Sequence, residues 1–290
     1  MVGYGALENF SSEADLCGSN KSEHVVHTVR GYVRSATLLI LSAAAAVLLC
    51  VAFSSVVRSS GGGMQLESPV PKGEIASQQL AGGNTMVYLG NGCFWARQYA
   101  LVRVEQHSPA FRDRDDAHVT ALAGYAGATA LGPQGLVCYH GGPPGTLYET
   151  LGDCEVVQVA LDKGAEVVQF KALLHSFFGS FVRNAAVMLR PDPQDAGGAY
   201  RSAIGIPGGV DGPLMPLIRD SNVDGMQLLA GKGGEEDQVN LVWIYDCGKF
   251  AFHRAEEYHQ FHKGPSALKT TQQALARINP TGCPEKGNWR

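Results

Sequence analysis

An α+β domain, with helices packed on a mixed sheet, is the fold class that the sequence predicts. Short runs rich in Val, Ile, Tyr and Leu recur between glycine turns, while one longer segment repeats phenylalanine at helical spacing. These runs follow one another as β-α-β-β-α-β with one further strand, the split βαβ order of a ferredoxin-like core. A long uncharged segment stands ahead of them, so the domain is expected to be preceded by one transmembrane helix.

Residues 1–34 are polar and mixed in charge, and their acids exclude an organelle transit peptide. From Ser35 to Val57 no residue is charged. At about 1.5 Å rise per residue that stretch can cross a hydrocarbon core about 30 Å thick, which makes 35–57 a membrane anchor. Lys21, Arg30 and Arg34 precede it, and Arg58 and Lys72 follow. The positive-inside tendency makes the chain single-pass, with its catalytic part on the lumenal or extracytosolic side. Residues 58–84 are rich in Gly, Ser and Pro and read as a flexible linker. The globular domain then occupies 85–290. In it "TMVYLG" (85–90) reads as a strand, 93–106 as a helix, and "AHVTALAGYAG" (117–127) and "CEVVQVALD" (154–162) as strands. Phe170, Leu174, Phe177, Phe178 and Phe181 mark a helix over 166–182, and "RSAIGI" (201–206) and "VNLVWIYD" (239–246) complete the sheet. The Gly-rich segment 208–238 is expected to be a surface loop, and Glu256, Glu257, His259 and His262 to lie on one face of a terminal helix.

The net charge of −4 supplies no basic field, which excludes nucleic acid as a partner. Cysteines stand at 17, 50, 93, 138, 154, 247 and 283, with no zinc spacing among them. Their odd number leaves at least one thiol free, and the question becomes which one is reactive. Cys93 follows a glycine turn and precedes a helical pattern. In the first turn of a helix, unpaired N–H groups and the positive end of the macrodipole favour a thiolate.

Five short stretches in one order give that cysteine a context: "GCFW" (92–95), "GYAG" (124–127), "CEVVQV" (154–159), "DAGGAYRS" (195–202) and "AEEYHQFH" (255–262). Together they resemble the A-type methionine sulfoxide reductases over about residues 86–262. The resemblance implies that Cys93 attacks the sulfoxide sulfur and becomes a sulfenic acid. It makes Phe94 and Trp95 the walls of a pocket for the substrate methyl group and Glu155 the acid that protonates the departing oxygen. Tyr125 and Tyr200 would donate hydrogen bonds to that oxygen, and Asp195 would order the polar network. Cys283, in a Gly/Pro tail, becomes the candidate resolving cysteine, with Cys247 and Cys154 behind it. Neither a bound cofactor nor a metal is implied; electrons come from thioredoxin or another dithiol, and the substrate is methionine sulfoxide, free or in proteins. The chain departs from the family at Ala96, which stands where glycine is usual, and at Asp153 and Cys154, which replace histidine and alanine. Ala199 likewise stands where glutamine is usual. These changes bear on rate and substrate range rather than on reaction type. Two other classes compete: a non-catalytic binder of oxidised methionine, and an acyl-transfer enzyme using Cys93 with His259 as base.

Overall fold

In the computed structural model, which describes residues 83–112, 114–192, 194–264, 267–275 and 281–284, strand β1 (Thr85–Gly90) forms where its alternating pattern places it. The expected anchor at 35–57 and the linker that follows it lie outside the described residues. Among the described residues no helix is long and apolar enough to cross a membrane.

Helix α1 (Phe94–His107) follows β1 through the glycine turn and leads to β2 (Leu122–Ala126). That strand starts later than its sequence suggests, because the buried Glu105 carboxylate takes the Thr120 and Ala121 amides at 3.0 and 2.9 Å. Arg114 bonds to Glu105 and, at 2.7 Å, to Asp162, which ties the end of α1 to the end of β3 (Cys154–Leu161). A short helix, α2 (Tyr148–Leu151), precedes β3, and α3 (Glu166–Gly179) follows it. The chain continues through the hairpin β4 (Val182–Asn184) and β5 (Val187–Leu189) to β6 (Ala203–Ile206). Then come α4 (Met215–Ser221), β7 (Gln227–Ala230), β8 (Leu241–Asp246), β9 (His253–Arg254) and α5 (Ala267–Leu275).

Seven strands form one mixed sheet in the order β7-β8-β6-β1-β3-β2-β9. β3 runs antiparallel between β1 and β2, so the two strands joined by α1 are parallel with a strand inserted between them. β6 is antiparallel to β1, and β8 and β7 are added parallel beyond it. Alternation along the strands gives two apolar faces. One carries Val87, Leu89, Val157, Val159 and Ile204 against Leu101, Phe170, Leu174 and Phe177 of the helices. The other buries Tyr88, Cys154, Val156, Tyr245 and Phe250. A side chain at Gly205 would collide with the Tyr88 ring, so glycine is what lets β6 close on β1 there.

Two sequence expectations are corrected. Segment 208–238 is no surface loop: Leu214, Met215 and Ile218 are buried, α4 contacts α3, and β7 extends the sheet. Leu214, Met215, Leu217 and Ile218 are spaced as one helical face, and the glycines around them obscured it. Residues 255–262 are not one face of a terminal helix either. Only Glu257–His259 turn, as a single 3₁₀ turn, and Glu256 and His259 point into the protein.

Candidate active site

Cys93 is the N-cap residue of α1 and is 4% exposed. Three backbone amides hold its turn. Gly92 N–H donates to the Tyr200 carbonyl at 3.0 Å, Cys93 N–H to Asp192 Oδ2 at 2.7 Å, and Phe94 N–H to Glu155 Oε2 at 2.8 Å. Gly92 adopts φ +96°, a region that favours glycine, and a side chain there would collide with the Asp192 carboxyl. The expectation of open amide donors beside the thiol is thereby corrected. Two of the donors at the start of the helix are already bonded to carboxyl oxygens.

Glu155 is buried on the helix-covered face of β3, directly across from Tyr125 in the strand pairing. Burial drives its pKa well above the carboxylate range, and the neighbouring Cys93 pushes the same way. The Phe94 amide and the Tyr148 hydroxyl, 3.3 Å from Oε1, pull it back without prevailing. Burial thus favours the protonated acid, the form that can give a proton to a reacting atom.

The tyrosines divide their work. Tyr200 ends a 3₁₀ turn (Gly198–Tyr200); burial first, then the charge of Glu155, raises its hydroxyl above the ordinary value, and it shares a hydrogen bond with Tyr148. Tyr125 is brought beside Glu155 by register, yet its hydroxyl donates to Glu256 Oε2 at 2.7 Å. Tyr148, stacked on Tyr125 at 4.5 Å, is the site residue that sequence reading missed. It belongs to no recognised motif, and its only signal was an aromatic shortly before Glu155. Asp195 adds negative charge near Glu155, Tyr200 and Asp192, while its own amide bonds to the Asp192 carbonyl at 3.2 Å.

Phe94 is buried against Tyr125 and His259, with ring centroids at 5.9 and 5.2 Å. Trp95 is half-buried; it stacks on His262 at 4.0 Å and donates its indole N–H to His259 Nδ1 at 3.2 Å. Tyr139 lies 4.4 Å from the His259 ring and, with Trp95 and Tyr200, is one of the partly exposed rings around the cysteine turn.

Cys283 is bonded to Cys138, with an S–S distance of 2.01 Å and Cα atoms 5.7 Å apart. The expected free tail thiol is therefore a paired one. Its donor atoms and that of Glu256, which accepts the Tyr139 amide at 2.8 Å, lie within 4.8 Å of each other, but disulfide sulfurs are not thiolate ligands for a metal. Cys93, Cys154 and Cys247 are the free cysteines among the described residues. Burial pushes Cys154 up to about 11 and Cys247 up to about 12, which favours the less reactive protonated thiol in both.

No family model matches the chain, and no curated protein matches it by sequence. Solved structures that are similar to it include two reductases. Methionine sulfoxide reductase A of Corynebacterium diphtheriae is 18% identical, with a TM-score of 0.38, over 71% of this chain and 87% of that one. Mxr1 from Saccharomyces cerevisiae in reduced form is 21% identical, with a TM-score of 0.37, over 62% and 84% respectively.

Proposed function

We propose that this chain is a thiol-dependent reductase of methionine-S-sulfoxide, free or within proteins, that works through Cys93. One observation carries the reading. Glu155, a buried carboxyl whose pKa burial drives upward, accepts the amide of the residue that follows Cys93, and Cys93 itself contributes to that rise. A nucleophilic sulfur and a proton donor side by side are what removal of a sulfoxide oxygen requires, because that oxygen leaves only when protonated.

In this mechanism the Cys93 sulfur attacks the sulfoxide sulfur while Glu155 protonates its oxygen. Collapse transfers the oxygen to Cys93 as a sulfenic acid and releases the thioether. Tyr200 and Tyr148, whose hydroxyls remain protonated beside Glu155, orient the oxygen. Trp95 supplies the apolar surface for the methyl group. Cys283 as a thiol then condenses with the sulfenic acid, forming a Cys93–Cys283 disulfide and water. Cys138 displaces Cys93 by thiol–disulfide exchange, which returns the Cys93 thiol and leaves a Cys138–Cys283 bond. A bonded Cys138–Cys283 pair together with a free Cys93 supports that last step. A thioredoxin-like dithiol reduces the pair, and the chemistry calls for no bound cofactor. The span 35–57 would anchor the enzyme to a membrane, with the domain from residue 85 onward on its lumenal or extracytosolic side.

His259 Nδ1 is occupied by the Trp95 indole N–H, which weakens the case for a Cys-His acyl-transfer pair. Mass spectrometry of the full chain, pre-reduced and then mixed with a methionine-S-sulfoxide peptide, distinguishes the readings. The expected result is loss of one oxygen from the peptide and gain of a disulfide by the protein, both abolished in Cys93→Ser. An unaltered peptide, or an acyl adduct on Cys93, would overturn the proposal.

A further inference from the structure

Asp192 has no assigned part in the reaction, yet its carboxyl is the group that holds the Cys93 amide. Only Cα and Cβ separate that nitrogen from the Cys93 sulfur. Its place is built rather than incidental. Glycine at 92 leaves the room it occupies, and the Arg190 guanidinium reaches Oδ1 at 3.3 Å. Arg190 is in turn fixed by Asp237, at 2.8 Å from Nη2, and by the Asp195 carbonyl. The Arg190 and Asp192 side chains are 9% and 13% exposed, so water screens their charges poorly.

We propose that Asp192 is a positioning residue for Cys93, gripping its amide and setting the electrostatic environment of its thiol, with Arg190 as the counter-charge. The inference rests on Cys93 being the nucleophile. The groups around the pair are Glu155 from β3, Tyr148 from α2, Tyr200 and Asp195 from the segment before β6, and Arg190 with Asp237 behind it; His259 faces Phe94. Burial favours the neutral forms of Glu155 and of both tyrosines. The formal charges that remain are those of Asp192, Asp195, Arg190 and Asp237. Asp192 is the one bonded to the cysteine residue itself. Burial raises it to about 6, against the pull of the Cys93 amide and Arg190, so it is ionised at neutral pH and opposes the thiolate. The resting cysteine is thereby kept less reactive than a helix start alone would make it. Glu155, which can give up a proton, and Asp192, which has already lost its own, act on the same residue in different charge states.

The test is iodoacetamide alkylation of the full chain as a function of pH, with Cys93 followed by peptide mapping. The Cys138–Cys283 disulfide is kept intact, and the raised Cys154 and Cys247 thiols stay out of the neutral range. Asp192→Asn keeps an oxygen for the Cys93 amide and removes the charge. Its profile is expected to move down by about one pH unit, roughly tenfold in thiolate at neutral pH. Arg190→Gln leaves the carboxylate unshielded and is expected to move the profile the other way. A folded Asp192→Asn protein with the parent's profile would overturn the inference. Should that variant fail to fold, an Arg190→Gln profile that does not move upward overturns it instead. The readout is the thiol's own ionisation. A chain that fails to reduce sulfoxides defeats the functional proposal and leaves this one to stand or fall on the alkylation curves.

Discussion

At the scale of the residue, Glu155 shows how much a single buried carboxyl can carry. It is the second residue of β3, an ionisable side chain in a mostly apolar run, and its side chain falls on the face covered by α1. The desolvation that raises its pKa is the same desolvation that makes it useful as an acid. Replacing it with glutamine keeps an acceptor for the Phe94 amide and removes the transferable proton. Single-turnover formation of methionine by Glu155→Gln is expected to fall about 10²–10⁴-fold with folding intact. A rate within about threefold of the parent would remove Glu155 from the chemistry. In the parent the rate should fall as pH rises past the elevated Glu155 value, because only the protonated form can donate.

At the scale of the element, α4 has the most to teach about glycine-rich sequence. Its Ile218 is fully buried, and the helix contacts α3, whose residues form the core behind the site. The Asn222 side chain closes the turn after it, accepting the Met226 amide at 3.0 Å and donating to the Met226 carbonyl at 2.8 Å. Ile218→Ala is expected to cost about 2–4 kcal/mol in denaturant unfolding, the range for emptying a packed aliphatic site. A residue on a surface loop would cost under about 0.5 kcal/mol, and that result would return 208–238 to the loop first expected. The helix was legible in the spacing of four apolar residues. The turn-forming glycines on either side hid it, because composition over a long window averages away a short amphipathic segment.

At the scale of the whole molecule, buried ionisable groups beside the sheet make stability respond to pH. Burial raises Asp153 from an ordinary 3.8 to about 6, although the Ala128 amide, 2.8 Å away, and Arg201 draw it down. Below the ordinary carboxyl range both folded and unfolded chains hold this proton, and the full contribution of Asp153 is present. As pH rises from there through about 6, the folded protein must ionise a buried group, and that contribution is lost. The gap corresponds to roughly 3 kcal/mol at most. Asp153→Asn is therefore expected to unfold at a higher temperature than the parent at pH 7.5, the difference closing by about pH 4. Equal melting temperatures at both pH values would show that Asp153 is solvated in the folded chain. Asp192, also raised to about 6, acts in the same sense.

The order of the central strands and of the two long helices was legible in the sequence, as were the cysteine after the glycine turn and the candidate acid, tyrosines and aromatic residues. Each is a local property, fixed by periodicity or by a motif a few residues long. Partners far apart in the chain are set by the folded arrangement alone. Tyr125 donates to Glu256, Tyr148 joins Glu155 and Tyr200, Cys283 pairs with Cys138, and Asp192 takes the Cys93 amide. Hydrogen bonds and charge interactions depend on distance through space, and a motif holds no record of which remote group will occupy the space beside it.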